Sequence, residues 1–288
     1  MVPYQSPHAA DPEMSRCLAL GVVTYNNPPA HLRRLLRAIE HAADRPDPAR
    51  HRTALVTIDC GTPAAWVDAR IPFKRLEPRG NLGFGGGMNC LLAEAFADPA
   101  VAWFLCVNPD GLPHHALLVE LLACSERYPH SLVEARQFPE EHPKPYDPAD
   151  GTTLWASGAC LLIPRCIYEA IGGFDTNMFM YMEDVDYSWR ARAAGFTVRV
   201  APLALFAHSV LDREPDQRVT KFYYDSARYL ASKWGRPEEQ AVYERALRDF
   251  GFYEGGELPR LPEPATVPAG GLHVADFSYG FVFAPRRW

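Results

Sequence analysis

The run Cys17-Leu18-Ala19-Leu20-Gly21-Val22-Val23-Thr24 is apolar almost throughout, with no polar alternation. It therefore reads as a strand buried on both faces, as in a parallel sheet. Tyr25-Asn26-Asn27-Pro28-Pro29 breaks it, and Leu32, Leu35, Leu36 and Ile39 then return at helical spacing. A second apolar run over residues 54–58 stops at Asp59-Cys60-Gly61-Thr62-Pro63. Strand, polar turn, helix and strand in succession predict an α/β doubly wound, mainly parallel, Rossmann-like sheet that binds ligands beyond the carboxyl ends of its strands. Asp59 would emerge at that edge, where its carboxylate can accept a hydrogen bond from a base N–H. An Asp at a turn is equally a local cap.

Outward from this unit, strands are expected over residues 73–76, 103–107 and 132–138, and helices over 86–96 and 117–124. Between them lies Arg79-Gly80-Asn81-Leu82-Gly83-Phe84-Gly85-Gly86-Gly87-Met88-Asn89. Glycines this dense let backbone approach a ligand closely, and the following helix could offer its N-terminal amides to a diphosphate. The spacing is not the G-x-G-x-x-G that follows a first strand in dinucleotide-binding folds. Asn108-Pro109-Asp110-Gly111 ends the strand at 103–107. Asp110 could hold a divalent cation against a diphosphate, since magnesium needs only one or two protein carboxylates. A type I turn with proline at its second position accounts for the same residues. Residues 139–151, rich in proline and charge, read as an exposed connector or mobile flap. Further strands are expected over 154–164, 196–200 and 203–207.

The densest chemistry lies in Gly172-Gly173-Phe174-Asp175-Thr176-Asn177-Met178-Phe179-Met180-Tyr181-Met182-Glu183-Asp184-Val185-Asp186, followed by Trp189-Arg190-Ala191-Arg192. Acids suit the first turn of a helix, where they meet the positive end of its dipole, and Asp186 can pair with Arg190 four residues on. That leaves the preceding Phe179, Met180, Tyr181 and Met182 unexplained. Apolar neighbours exclude water and raise a carboxyl pKa, which is how a general base for neutral pH is made.

The stretch over residues 172–195 resembles the acceptor-side signature of family 2 glycosyltransferases, inverting enzymes of the GT-A fold, with the rhamnosyltransferase-like branch nearest. Val23-Thr24-Tyr25-Asn26 and Ile58-Asp59-Cys60-Gly61-Thr62 resemble the two nucleotide-binding turns of that family, the second departing from Asp-Asn-x-Ser at Cys60 and Thr62. Residues 81–89 resemble its N-x-G-F-g-g-G-x-N segment, and Asn108-Pro109-Asp110 stands at its D-x-D, with Asn108 for the first acid. Lys221-Phe222-Tyr223-Tyr224 through Arg228 resembles Y-Y-x-x-R-N, with Tyr229 in place of the asparagine. The likeness covers roughly residues 17–235.

This resemblance implies a GT-A domain with a donor half (17–138) and an acceptor half (139–235), preceded by an extension (1–16). Residues 236–288 would add a C-terminal helix, a proline-rich linker and an aromatic tail. It implies nucleotide-sugar contacts from Thr24, Tyr25, Asn26, Asp59, Asn81, Gly83, Phe84, Asn89, Asn108 and Asp110, and acceptor contacts from Trp155, Gly158, Tyr181 and Glu183. Asp184 would be the catalytic base, with its neighbour Glu183 the other candidate. Asp110 and His208, in the segment His208-Ser209, would hold Mg2+ or Mn2+. The implied donor is a dTDP-, UDP- or GDP-linked sugar, a deoxyhexose such as rhamnose among the candidates. The implied acceptor is a glycan or lipid-linked acceptor of bacterial polysaccharide biosynthesis. Two rival readings are a non-catalytic sugar-binding or assembly protein, which Asn108 favours and the retained acids oppose, and a nucleotidyltransferase. The latter would want a basic phosphate-gripping loop after the first strand, and residues 25–29 are not one.

Composition is that of an ordinary globular protein: 288 residues, 48% hydrophobic and 22% charged. The formal charge of -6 argues against a nucleic-acid partner, which needs a concentrated basic face. Seven cysteines without a C-x-x-C read as buried apolar groups in a reducing compartment. With no signal-like start and no long apolar run, a cytoplasmic protein is expected. A position at the inner face of the membrane, peripheral membrane contact and a homodimer stay open. Phe277, Tyr279, Phe281 and Phe283 alternate as in a strand that folds back on the core or meets a partner or membrane.

Overall fold

The computed structural model describes residues 16–278, apart from 48, 65, 67, 209–215, 265, 266 and 268–270, together with residue 281. Strands β1 (Arg16–Thr24), β2 (His51–Asp59), β3 (Phe73–Leu76) and β4 (Val101–Val107) pair in parallel in the order β3-β2-β1-β4. Helices α1 (Pro29–Ala43) and α2 (Gly83–Phe96) connect them. Side chains alternate across a strand, so β1 serves two cores at once. Cys17 and Ala19 face Met88, Leu91 and Leu92 of α2. Leu18, Leu20 and Val22 face Leu35, Leu36 and Ile39 of α1. Each of these fully buried leucines and isoleucines contributes about 1.5–3 kcal/mol, which is why the run had to be apolar on both faces.

The second half adds β5 (Leu112–Pro113), α3 (Leu117–Arg127), β6 (Ser131–Pro139), β7 (Cys160–Pro164), α4 (Arg165–Ile171), α5 (Glu183–Ala193), β8 (Thr197–His208), α6 (Gln217–Lys233) and α7 (Pro237–Asp249). All eight strands form one sheet in the order β3-β2-β1-β4-β7-β6-β8-β5. β7 runs antiparallel to β4 and β6, and β5 antiparallel to β8, whereas β6 and β8 are parallel. The sheet is thus wholly parallel over β1 to β4 and mixed beyond them.

Several expectations need correction. The strands foreseen at 196–200 and 203–207 are one strand, β8, whose register against β6 shifts between Ala135 and Arg136. Pro202 lies in that irregularity, where a residue without an N–H is tolerated. The strand foreseen from 154 begins only at Cys160, and the helix foreseen from 86 begins at Gly83. The connector 139–151 is no exposed flap: Glu140 and Lys144 are buried, and Lys144 pairs with Glu134 of β6. Its prolines erase periodicity without removing burial, so the sequence pattern misled.

The aromatic tail does fold back. Phe277 lies outside any strand, and its ring meets Trp189 of α5 with centroids 5.2 Å apart, while Phe281 lies 6.0 Å from Trp189 and 5.8 Å from Trp155. Tyr279, Phe283 and Ser209 fall outside the described residues. Among the described residues no helix is long and apolar enough to cross a membrane.

Candidate active site

The ends of β1 and β2 stand in register, Thr24 against Asp59. The Thr24 hydroxyl donates to the Asp59 carboxylate, and Arg75 of β3 forms an ion pair with the same group. Asp59 is 0% exposed. In this structure it therefore locks the turn from within, while Tyr25 stands exposed beside it. Asn26, at φ 55°, accepts through Oδ1 from both the amide and the hydroxyl of Thr62 at 2.9 Å, which joins the two turns. Arg75 is missing from the residues that the sequence pattern marks, although Lys74-Arg75 at a strand end beside Asp59 carries the available signal.

The glycine-rich segment is stitched to the loop ahead of α5. Gly83 has φ 69°, and a Cβ there would lie 2.0 Å from the Phe179 carbonyl oxygen, so only glycine fits. The next amide, of Phe84, donates to that oxygen at 3.2 Å. Asn81 accepts from the Gly83 amide at 3.2 Å. Asn89 accepts from the Phe174 amide at 2.7 Å and donates to its carbonyl at 2.9 Å. Both ends of the Asn89 amide are thus engaged by the protein. The Phe84 ring packs on Phe174, centroids 5.9 Å apart, and would touch a Cβ at Gly158 at 3.0 Å.

Tyr181 and Met182, at φ 69° and 68°, are left-handed residues immediately before α5. Such backbone costs about 1–3 kcal/mol per residue and persists only where its surroundings over-determine it. It turns the chain so that α5 opens on Glu183 and Asp184. The Asp184 carboxylate accepts from the Gly158 amide and the Val185 amide, both at 2.8 Å. Burial raises its pKa above the ordinary aspartate value. Glu183 is 4% exposed, and its Oε2 has no hydrogen-bond partner. Burial first, and the adjacent Asp184 second, push its pKa well above the usual range. Asp186 instead forms the expected pair with Arg190 at 2.8 Å. Of the two candidate bases, Asp184 is half-buried and Glu183 buried.

Asn108 at the end of β4 donates its amide to the Ala159 carbonyl at 2.8 Å. Ala159 follows Gly158, so the turn carrying Asp110 is tied by backbone to the residue that holds Asp184. His208, ending β8, places Nε2 3.2 Å from Asp110 Oδ1 and Nδ1 2.9 Å from Gln137 Oε1. Two ligands cis on an octahedral cation with bonds of about 2.1 Å stand about 3.0 Å apart, so Asp110 and His208 can both touch one ion. Among the described residues no three His, Cys, Asp or Glu side chains gather as a closed metal cage. A diphosphate would have to complete the coordination. Trp155 is buried, stacked under Lys144 Nζ at 3.9 Å and beside His142, so its indole lies in the core rather than on an open floor. Tyr181 is half-buried near Tyr223.

No family model matches the chain. It is 28% identical over 271 residues to an N-acetylglucosaminyl-diphospho-decaprenol L-rhamnosyltransferase of Mycobacterium tuberculosis, which spans 76% of this chain and 86% of that protein. Among solved structures, the mannosyltransferase PcManGT from Pyrobaculum calidifontis in complex with GDP-Man and Mn2+ matches with TM-score 0.52 and 16% identity, over 89% of this chain and 81% of its own. S. aureus TarS 1-349 in complex with UDP matches with TM-score 0.51 and 16% identity, over 82% and 80%. A sheet of this order with a paired turn at β1 and β2, a glycine-rich helix start and an acidic helix at one edge belongs to a glycosyltransferase of the GT-A fold. Within that class its sequence is similar to a rhamnosyltransferase.

Proposed function

We propose that the protein transfers a sugar, with inversion, from a nucleoside-diphosphate donor to a hydroxyl of a glycan or lipid-linked acceptor. Asp184 acts as the general base and a divalent cation sits at Asp110 and His208. The observation that carries the reading is the chain of contacts from the Asn108 amide through Ala159 and Gly158 to the Asp184 carboxylate, which ties a carboxylate–imidazole pair to a half-buried carboxylate. In the relatives, the M. tuberculosis enzyme is named for L-rhamnosyl transfer to a diphospho-decaprenol acceptor, and the Pyrobaculum structure holds GDP-Man with Mn2+. A deoxyhexose donor and a polyprenyl-diphosphate-linked acceptor are the corresponding assignment here.

The nucleoside would lie along Tyr25 and Asn26, with Thr24, Asp59 and Arg75 fixing the turn beneath it. The diphosphate would approach the glycine-rich helix start and meet the Gly85 and Gly86 amides of its first turn, since those of Gly83 and Phe84 already donate to Asn81 and Phe179. When bound, the cation neutralises charge developing on the leaving diphosphate. Asp184, oriented by the Gly158 and Val185 amides, takes the acceptor hydroxyl proton while that oxygen attacks the anomeric carbon and the donor C–O bond breaks. Its raised pKa brings it nearer the working pH. Glu183, buried beside it, is pushed further above the ordinary carboxylate range, so Asp184 is the easier of the two to ionise.

Calorimetric titration with UDP, dTDP and GDP, each with and without Mn2+, tests the donor site. One nucleotide should bind in a Mn2+-dependent manner and lose most of its affinity in Asp110→Ala. No binding of any of the three under either condition would contradict the reading.

A further inference from the structure

We infer that Gln137, oriented by the buried pair Lys144 and Glu134, is a positioning residue that fixes His208 as its Nδ1–H tautomer and so keeps Nε2 turned toward Asp110 as a cation ligand. The inference rests on the reading of Asp110 and His208 as the cation pair.

The four residues form a line of contacts across the ends of β6 and β8. Lys144 Nζ bonds to Glu134 Oε2. Gln137 Nε2 donates to Glu134 Oε1 at 3.3 Å. Lys144 takes Glu134 Oε2, which leaves Oε1 as an acceptor, so this contact decides which end of the Gln137 amide is nitrogen. The carbonyl end is then Oε1, 2.9 Å from His208 Nδ1, and that ring nitrogen must be the donor. In the neutral imidazole that a cation requires, the other nitrogen, Nε2, is then the lone-pair atom; it stands 3.2 Å from Asp110 Oδ1, a contact that a metal-free imidazolium would make by donating a second proton. Glu134, Gln137, Lys144 and His208 are all buried, so none of these side chains has solvent as an alternative partner.

The sheet supplies the geometry. In the parallel register of β6 with β8, Gln137 lies opposite Phe206 and Pro139 opposite His208, with the connector bringing Lys144 back over Glu134. Stability does not require this arrangement, because apolar residues of similar volume commonly replace a buried ion pair at no loss. Fixing the tautomer and ring orientation of a metal-binding histidine is what a hydrogen-bonded partner on its other nitrogen does.

The test uses the full chain with 15N-labelled histidine and no metal. Long-range 1H–15N correlations report which ring nitrogen of His208 carries the proton, the signal being assigned with His208→Gln. The wild type should show Nδ1–H. Gln137→Leu should release the constraint and move the proton toward Nε2, and Glu134→Gln, which keeps size and shape, should show the same change if Gln137→Leu folds poorly. The gain in affinity that Mn2+ confers on UDP, dTDP or GDP, read by calorimetry, should fall about 10- to 100-fold in both variants. A wild type with no proton on Nδ1, or folded variants with an unchanged tautomer and an unchanged Mn2+-dependent gain, would overturn the inference. Absence of any Mn2+-dependent gain in the wild type would instead count against the cation pair itself, and the metal-free measurement of the Nδ1 proton tells these failures apart.

Discussion

At the scale of the residue, Glu183 and Asp184 illustrate how adjacent carboxylates acquire different roles. Asp184 has two amide donors and partial access; Glu183 has burial and an oxygen without a hydrogen-bond partner. The raised pKa of Glu183 makes it a liability for folding. Between the ordinary glutamate value of about 4.3 and its raised folded value, the native state binds more protons than the unfolded chain. Stability contributed through this group therefore falls as pH rises across that window, by about 1.4 kcal/mol per unit of displacement once the window is crossed. Glu183→Gln removes the dependence. Its gain in urea midpoint over wild type should be small at pH 5 and larger at pH 7.5, together with reduced transfer. A gain that does not change with pH would show that Glu183 is not held protonated. The run of acids was plain in the sequence, but the division of labour was not, because it depends on the Gly158 amide, 26 residues away in sequence.

At the scale of the element, the loop 174–182 and helix α5 are held by α6. Lys233 Nζ bridges Asp175 at 2.7 Å and Asp186 at 2.8 Å, one acid before the left-handed pair Tyr181-Met182 and one after it. Tyr229 donates to Asp175 at 3.0 Å, Trp234 to Asp186 at 3.0 Å, and Ser226 to the Met180 carbonyl at 2.8 Å. Arg190, paired with Asp186, also donates to the carbonyls of Ile171 and Gly173 at 2.7 Å. These ties account for strained backbone just ahead of the proposed base. Lys233→Met leaves buried acids short of a partner and should cost about 3–5 kcal/mol in urea unfolding. A loss below about 1 kcal/mol would show that the other donors suffice. Gly83→Ala should fare badly for a different reason, since its Cβ would collide with the Phe179 carbonyl. It should lower transfer and stability together, whereas Gly80→Ala, at φ 76° with nothing within 4 Å, should carry only the cost of its backbone angle, about 1–2 kcal/mol.

The periodicity of β1, α1 and β2 made the first half of the sheet legible, because a continuous apolar run bounded by polar turns fits little besides a strand buried on both faces. The second half was harder to read. Pro202 split one strand into two apparent ones, and the charge and proline of residues 139–151 concealed a buried lysine whose partner lies on another element. Arg75, Gln137, Lys144 and Lys233 all act through long-range pairings that no local pattern encodes.

At the scale of the whole molecule, one sheet edge carries the turns at Thr24 and Asp59, and the C-terminal segment packs on α5 and α6. Arg192 donates to the Val274 carbonyl at 2.9 Å, Arg236 to that of Ala275 at 2.7 Å and Arg228 to that of Pro259 at 2.9 Å, while Phe277 and Phe281 pack on Trp189. These contacts brace the helices on the proposed acceptor side rather than the turns that would hold the nucleotide. Removing residues 259–288 should lower the thermal midpoint and impair transfer while nucleotide affinity changes less than about threefold, a split read by calorimetry beside a product assay. Equal loss of both would place the tail's influence on the donor side.

Asp184, carried by α5 to the edge where donor and cation would meet, is the group proposed to remove the acceptor proton, and the rest of the mechanism depends on it. The direct test is single-turnover transfer by Asp184→Asn, with nucleotide affinity measured on the same preparation. Transfer should slow by about 10²- to 10⁴-fold with nucleotide affinity unchanged, since only the proton acceptor is lost. Transfer within a few-fold of wild type by the folded variant would contradict that role and move the base elsewhere in the site.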